Sequence, residues 1–104
     1  LLEDDGFEIG AAATFGEGRD SIVGCIHPQS ILDAIDAIIS SATIPLDAIF
    51  ISCTSLKCAT IIAMAEAQYG IPVISSNSAI AWDMARLARL AMPANEKGLL
   101  FQQD

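Results

Sequence analysis

Basic residues are scarce in this chain. Five lysines and arginines stand against thirteen aspartates and glutamates, a net charge of −8 over 104 residues. That balance argues against nucleic acid and against anionic membranes as partners. A small anionic substrate remains open, because donors in a pocket outweigh a distant surface field. Histidine occurs once, and cysteine only at 25, 53 and 58. Cys53 and Cys58 have no second pair beside them, which argues against a structural zinc site. No apolar run is long enough to span a bilayer. The acidic opening, LLEDDGFEIG, is unlike a secretory leader. An odd number of cysteines in that setting reads as reduced thiols in the cytoplasm. A glycine-rich nucleotide motif is lacking too: GEG at 16–18 stands isolated in a loop.

What is present is small and aliphatic. Hydrophobic residues make up 53% and aromatics only 6%, which suits parallel strands covered by helices in one domain. Leu1–Asp5 reads as the last turn of a helix and Gly6 as its stop. Phe7–Ala13 reads as a strand, Thr14–Asp20 as a polar loop, and Ser21–Ile26 as a short irregular piece. Pro28 opens a helix over Gln29–Ser40, with Ile31, Ile35, Ile38 and Ile39 on one face. Leu46–Ser52 is a strand, Ser55–Tyr69 a helix stopped by Gly70, and Pro72–Ser75 a strand. Ser78–Leu90 is a helix capped by Asn77 or Ser78. In the tail, Met92–Asp104, one short extended piece is expected at Gly98–Phe101.

This order predicts an α/β fold, a flavodoxin-like parallel sheet with helices on both faces. In flavodoxin-like order the first strand is central. Here no strand precedes the opening helical turn, so a space is expected between Phe7–Ala13 and Ala48–Ile51. The expectation is a fragment of a longer protein, with residues 1–104 forming one lobe that lacks its first strand.

The chemistry concentrates in Leu46–Gly70. The buried strand Ala48–Ile51 leads to Cys53, followed by the polar Thr54-Ser55 turn and the predicted helix start. Ligands of open α/β sheets bind at the carboxyl ends of strands. Free backbone N–H groups and a helix dipole there favour both a thiolate and a carboxylate ligand. Cys53 is therefore the candidate catalytic residue. Cys25 and Cys58 read as packing, His27 as a surface or capping residue, and Arg86 and Arg89 as solvated charges. Trp82 reads as packed against the sheet or a partner chain. Cys53 lacks the following arginine of a cysteine phosphatase, and its spacing to Cys58 does not fit a thioredoxin-like pair.

Several short motifs occur in a telling order: Ser52-Cys53-Thr54 with Leu56, Gly70-Ile71-Pro72-Val73, Ser75-Ser76-Asn77, Ala81-Trp82 and Arg86-Leu87. Gly6-Phe7-Glu8-Ile9, His27-Pro28-Gln29-Ser30 and Lys97-Gly98-Leu99-Leu100-Phe101 extend the pattern. Together they resemble the C-terminal part of maleate cis-trans isomerases and arylmalonate decarboxylases, within the aspartate/glutamate racemase superfamily. Asp83 departs from the pattern, where family members often carry histidine.

The resemblance implies two flavodoxin-like lobes, each offering one cysteine to opposite faces of a small carboxylate, with no cofactor or metal. Cys53 matches the second-lobe cysteine; the first-lobe cysteine and a Thr-Pro-Tyr motif have no counterpart here. Thr54, Ser55 and Asn77 would bind substrate, and the assembly would be a homo-oligomer. The activity implied is that of a maleate isomerase-like or racemase-like enzyme, with this lobe alone inactive. A decarboxylase-like lyase and a non-catalytic carboxylate-binding domain are the alternatives. Maleate, an amino-dicarboxylate, a hydantoin and a malonate derivative all stay open as substrates.

Overall fold

The computed structural model describes residues 2–92 and 98–103. A 3-10 turn at Glu3–Asp5 is followed by α1 (Asp20–Val23), α2 (Pro28–Ser41), β1 (Ile49–Ile51), α3 (Ile62–Tyr69), β2 (Val73–Ser75) and α4 (Ser76–Leu87). Among the described residues a further 3-10 turn, the closing turn, spans Leu99–Gln102. β1 and β2 pair in parallel, Ile49 opposite Val73 and Ile51 opposite Ser75. α3 is the crossover between them, as a parallel pair requires. Among the described residues no helix is long and apolar enough to cross a membrane.

The predicted α2 forms for the expected reasons. Pro28 takes the first helical position, where its missing N–H costs nothing. The His27 side chain caps the helix, Nδ1 accepting the Gln29 N–H at 3.1 Å. Ile31 and Ile35, one turn apart, are each 2% exposed and join Ile49, Val73, Ile62 and Ala65 in the core. Burying each such aliphatic side chain contributes about 1.5–3 kcal/mol. At the surface, the Tyr69 hydroxyl of α3 donates to Asp36 Oδ1 of α2 at 2.9 Å.

α3 carries a buried acid. One oxygen of the Glu66 carboxylate accepts the Val73 N–H at 2.9 Å. The other accepts the Leu99 N–H at 2.8 Å. One side chain thus ties the start of β2 to the closing turn. Gly98 makes the approach possible: its φ is +97°, and a Cβ there would lie 2.8 Å from Ile62 Cγ2.

The structure corrects several boundaries. Phe7–Ala13 forms no strand. β-propensity expresses itself only against a neighbour, and among the described residues the sheet holds only β1 and β2. Gly10 instead lies on the 44–46 loop, where an added Cβ would sit 2.7 Å from Leu46 Cδ2. The helix predicted from Ser55 begins only at Ile62. Leu56 and Cys58 are both buried, and residues two apart are about 200° apart on a helix. Successive turns bring both inward: the Cys58 N–H reaches the Leu56 carbonyl, and the Ile61 N–H the Cys58 carbonyl. β1 is shorter than Leu46–Ser52. Ser21–Ile26 opens as the short helix α1 rather than an irregular piece. α4 starts at Ser76, and its cap is Ser75, not Asn77 or Ser78. Gly98–Phe101 enters a 3-10 turn rather than an extended piece. Gly6 and Gly70 do end their helical turns in the left-handed conformation. Of the predicted tail, residues 93–97 and 104 lie outside the described residues, as does Leu1 at the other end.

Candidate active site

β1 ends at Ile51, and two residues later the half-buried Cys53 stands on the rim of a cleft. The cleft has a volume of about 270 Å³. Its floor is the apolar face of α2, with Ile31, Ile35 and Ile38; one wall is β1 and the other the 13–17 loop. No residue of β2 lines it.

The thiol sits in a turn of donors. The Ser55 N–H points at Cys53 Sγ, 3.4 Å away. The helix that meets this turn is not the one expected. α3 starts eight residues beyond Thr54, at Ile62. The N-terminus of α4 takes its place: Ser76 Oγ accepts the Cys53 N–H at 3.2 Å, and Asn77 Nδ2 donates to the Thr54 carbonyl oxygen at 2.9 Å. The positive end of the twelve-residue α4 therefore adjoins the thiol-bearing turn.

All four sequence-predicted residues, Cys53, Thr54, Ser55 and Asn77, come together at this strand end. Their surroundings differ. Cys53 borders the cleft, whereas Thr54, Ser55 and Asn77 do not line it. Thr54 and Asn77 are exposed and Ser55 is half-buried. Sequence reasoning did not single out Ser76. The available signal was its place immediately after a strand and at the head of a helix, where a hydroxyl reaches back to neighbouring backbone.

The other cysteines are set apart. Cys58 is 2% exposed, and burial, with a smaller effect of Cys53's charge, pushes its thiol above the ordinary value of 9.0. Cys25 is exposed and donates to the Ser21 carbonyl at 3.3 Å. On the cleft's loop wall, Glu17 pairs with Arg19 at 2.9 Å. The Arg19 side chain holds the Glu17 carboxyl below the usual carboxylate range. Trp82 donates through Nε1 to the Gln103 carbonyl at 3.3 Å. Arg86 lies over the Trp82 ring and pairs with Asp83 at 2.7 Å. Among the described residues no group of three histidine, cysteine or acidic side chains is arranged to hold a metal ion.

The family described as arylmalonate decarboxylase matches residues 1–101. A maleate isomerase of Nocardia farcinica (strain IFM 10152) is 30% identical over 104 residues, covering 99% of this chain and 40% of that protein. A crystal structure of arylmalonate decarboxylase superposes with a TM-score of 0.84 at 24% identity, over 99% of this chain and 45% of the other. A glycine-to-cysteine mutant of arylmalonate decarboxylase, in its sulfate ion associated form, gives 0.76 at 25% identity, over 98% and 44%. The α/β fold is therefore shared with part of arylmalonate decarboxylase, and the chain spans less than half the length of these proteins.

Proposed function

The chain belongs to the arylmalonate decarboxylase family, and on that footing we propose that it is one lobe of a longer, cofactor-independent enzyme acting on a small carboxylate, with Cys53 as the reacting group. The observation that carries this reading is the Cys53 thiol at the carboxyl end of β1, receiving the Ser55 N–H on its sulfur. Its favoured activity is maleate isomerase-like or racemase-like.

The residues fit the chemistry. A thiolate removes a proton next to a carboxylate and leaves the electron pair delocalised as an enediolate. A thiol facing the other side returns a proton to that carbon. In the isomerase variant, one sulfur adds to the double bond, the resulting single bond rotates, and the carbon–sulfur bond breaks again. Cys53 serves as acid and base in the first case, and as the partner of the attacking thiolate in the second. The hydroxyls of Thr54 and Ser55, with the backbone N–H groups of this turn, are suited to the substrate carboxylate, whose charge grows in the enediolate. The facing cysteine would come from the other lobe, which makes residues 1–104 alone inactive.

A decarboxylase-like reading also has support, because the family match and the fold likeness both involve arylmalonate decarboxylase. Loss of carbon dioxide leaves the same enediolate, and the Cys53 thiol protonates it. One experiment separates the readings. The longer protein is offered maleate, aspartate, glutamate and an arylmalonate, with and without chelator and with Cys53→Ser. Turnover of one substrate, indifferent to chelator and reduced roughly 100-fold or more by Cys53→Ser, is the expected result. Activity that survives Cys53→Ser or disappears with chelator overturns the mechanism. Binding without turnover identifies a carboxylate-binding domain instead.

A further inference from the structure

Two side chains at the head of α4 grip the backbone that carries the thiol. Ser76 Oγ takes the Cys53 N–H at 3.2 Å. Asn77 Nδ2 gives a hydrogen bond to the Thr54 carbonyl oxygen at 2.9 Å. The first bond fixes the peptide entering Cys53 and the second fixes the peptide leaving Thr54. The Ser55 N–H belongs to that second peptide, and it is the group aimed at Cys53 Sγ. Holding the carbonyl end of this peptide also holds the direction of its N–H, because the unit is planar.

The grip has a firm base. Ser75 Oγ accepts the Ser78 N–H at 3.1 Å, and Ser78 Oγ accepts the Ser75 N–H at 2.9 Å. This reciprocal capping box sets the start of α4 independently of the thiol turn. Ser75 is itself buried at the end of β2, so Ser76 and Asn77 project from a fixed point.

We propose that Ser76 and Asn77 are positioning residues for Cys53, holding the 53–55 turn in the shape that directs the Ser55 N–H onto the sulfur. Asn77 then acts through Thr54 rather than by touching substrate. This rests on Cys53 being the reacting group, but its test needs no turnover.

Iodoacetamide labelling near neutral pH, followed for each cysteine by peptide mass spectrometry, reads the effect. Ser76→Ala and Asn77→Ala each slow Cys53 labelling by about 3- to 10-fold, the scale of one hydrogen bond. Ser76→Thr keeps the hydroxyl and restores the rate. Cys58, buried in the core, stays protected throughout. General loosening would have the opposite signature, with Cys58 and Cys53 both labelled faster. Should Ser76→Ala expose Cys58, the solvent-facing Asn77→Ala carries the comparison. Cys53 labelling that is unchanged or faster in Asn77→Ala, or Ser76→Thr as slow as Ser76→Ala, overturns the proposal. Slowed labelling in a protein with no turnover would leave the positioning role standing and remove the enzymatic reading alone.

Discussion

Residues 7–19 and residues 62–103 are both rich in apolar side chains, yet they end differently. In the second stretch Ile62, Ala65 and Val73 are buried, the helix start is boxed, and Glu66 binds two backbone amides. In the first, Phe7, Ile9 and Phe15 are 62%, 44% and 45% exposed, and no strand forms. The difference lies in neighbours rather than hydrophobicity. Val73 has β1 beside it and α3 behind it. Phe7 has no strand to pair with among the described residues.

The comparison breaks most visibly at Glu66. Glu66→Ala leaves the buried Val73 amide and the half-buried Leu99 amide without their acceptor, at about 1–3 kcal/mol for each. A loss of about 4 kcal/mol in urea unfolding is expected, and a loss under 1 kcal/mol would show that the two bonds carry little. Gly98→Ala comes next. The new methyl meets Ile62 and the Glu66 carboxylate at a left-handed φ, so about 2 kcal/mol should disappear from the same unfolding curve. Ser75→Ala removes half of the capping box and should cost about 1 kcal/mol, visible as a lowered thermal midpoint. Phe7→Ser sharpens the contrast from the other side. A side chain this exposed should change stability by no more than about 0.5 kcal/mol; a loss near 2 kcal/mol would mean that residues 7–19 are packed after all.

The same contrast explains what could be read beforehand. Helix α2 was legible because its proline, its cap and its isoleucine spacing lie within one segment. β2 was legible from Pro72 and the short apolar run after Gly70. The position of Cys53 just past a strand end was legible because a strand end is a local feature. The absence of a strand at Phe7–Ala13 was not, since strand formation depends on a paired neighbour as well as on local pattern. The segment 55–61 misled because Leu56, Cys58 and Ile61 look like an apolar helix turn, while the two-residue step from Leu56 to Cys58 fits only a turn. Ser76 was named only within the Ser75-Ser76-Asn77 motif and not as a site residue, because its hydrogen bond reaches a backbone 23 residues away.

Glu66 also has a dynamic consequence. Its two oxygens hold an amide in β2 and an amide in the closing turn, so neither bond opens into water without disturbing a shared buried carboxylate. In native-state hydrogen exchange, Val73 and Leu99 should therefore behave as one cooperative unit despite their distance in sequence. Their protection factors should rise and fall together across denaturant. The reach of that unit extends toward the Cys53 thiol, because β2 runs from Val73 directly into Ser75 and the α4 start whose side chains bond the 53–55 turn. Exchange at the chain's closing turn is then a remote gauge of how tightly the thiol's surroundings are held.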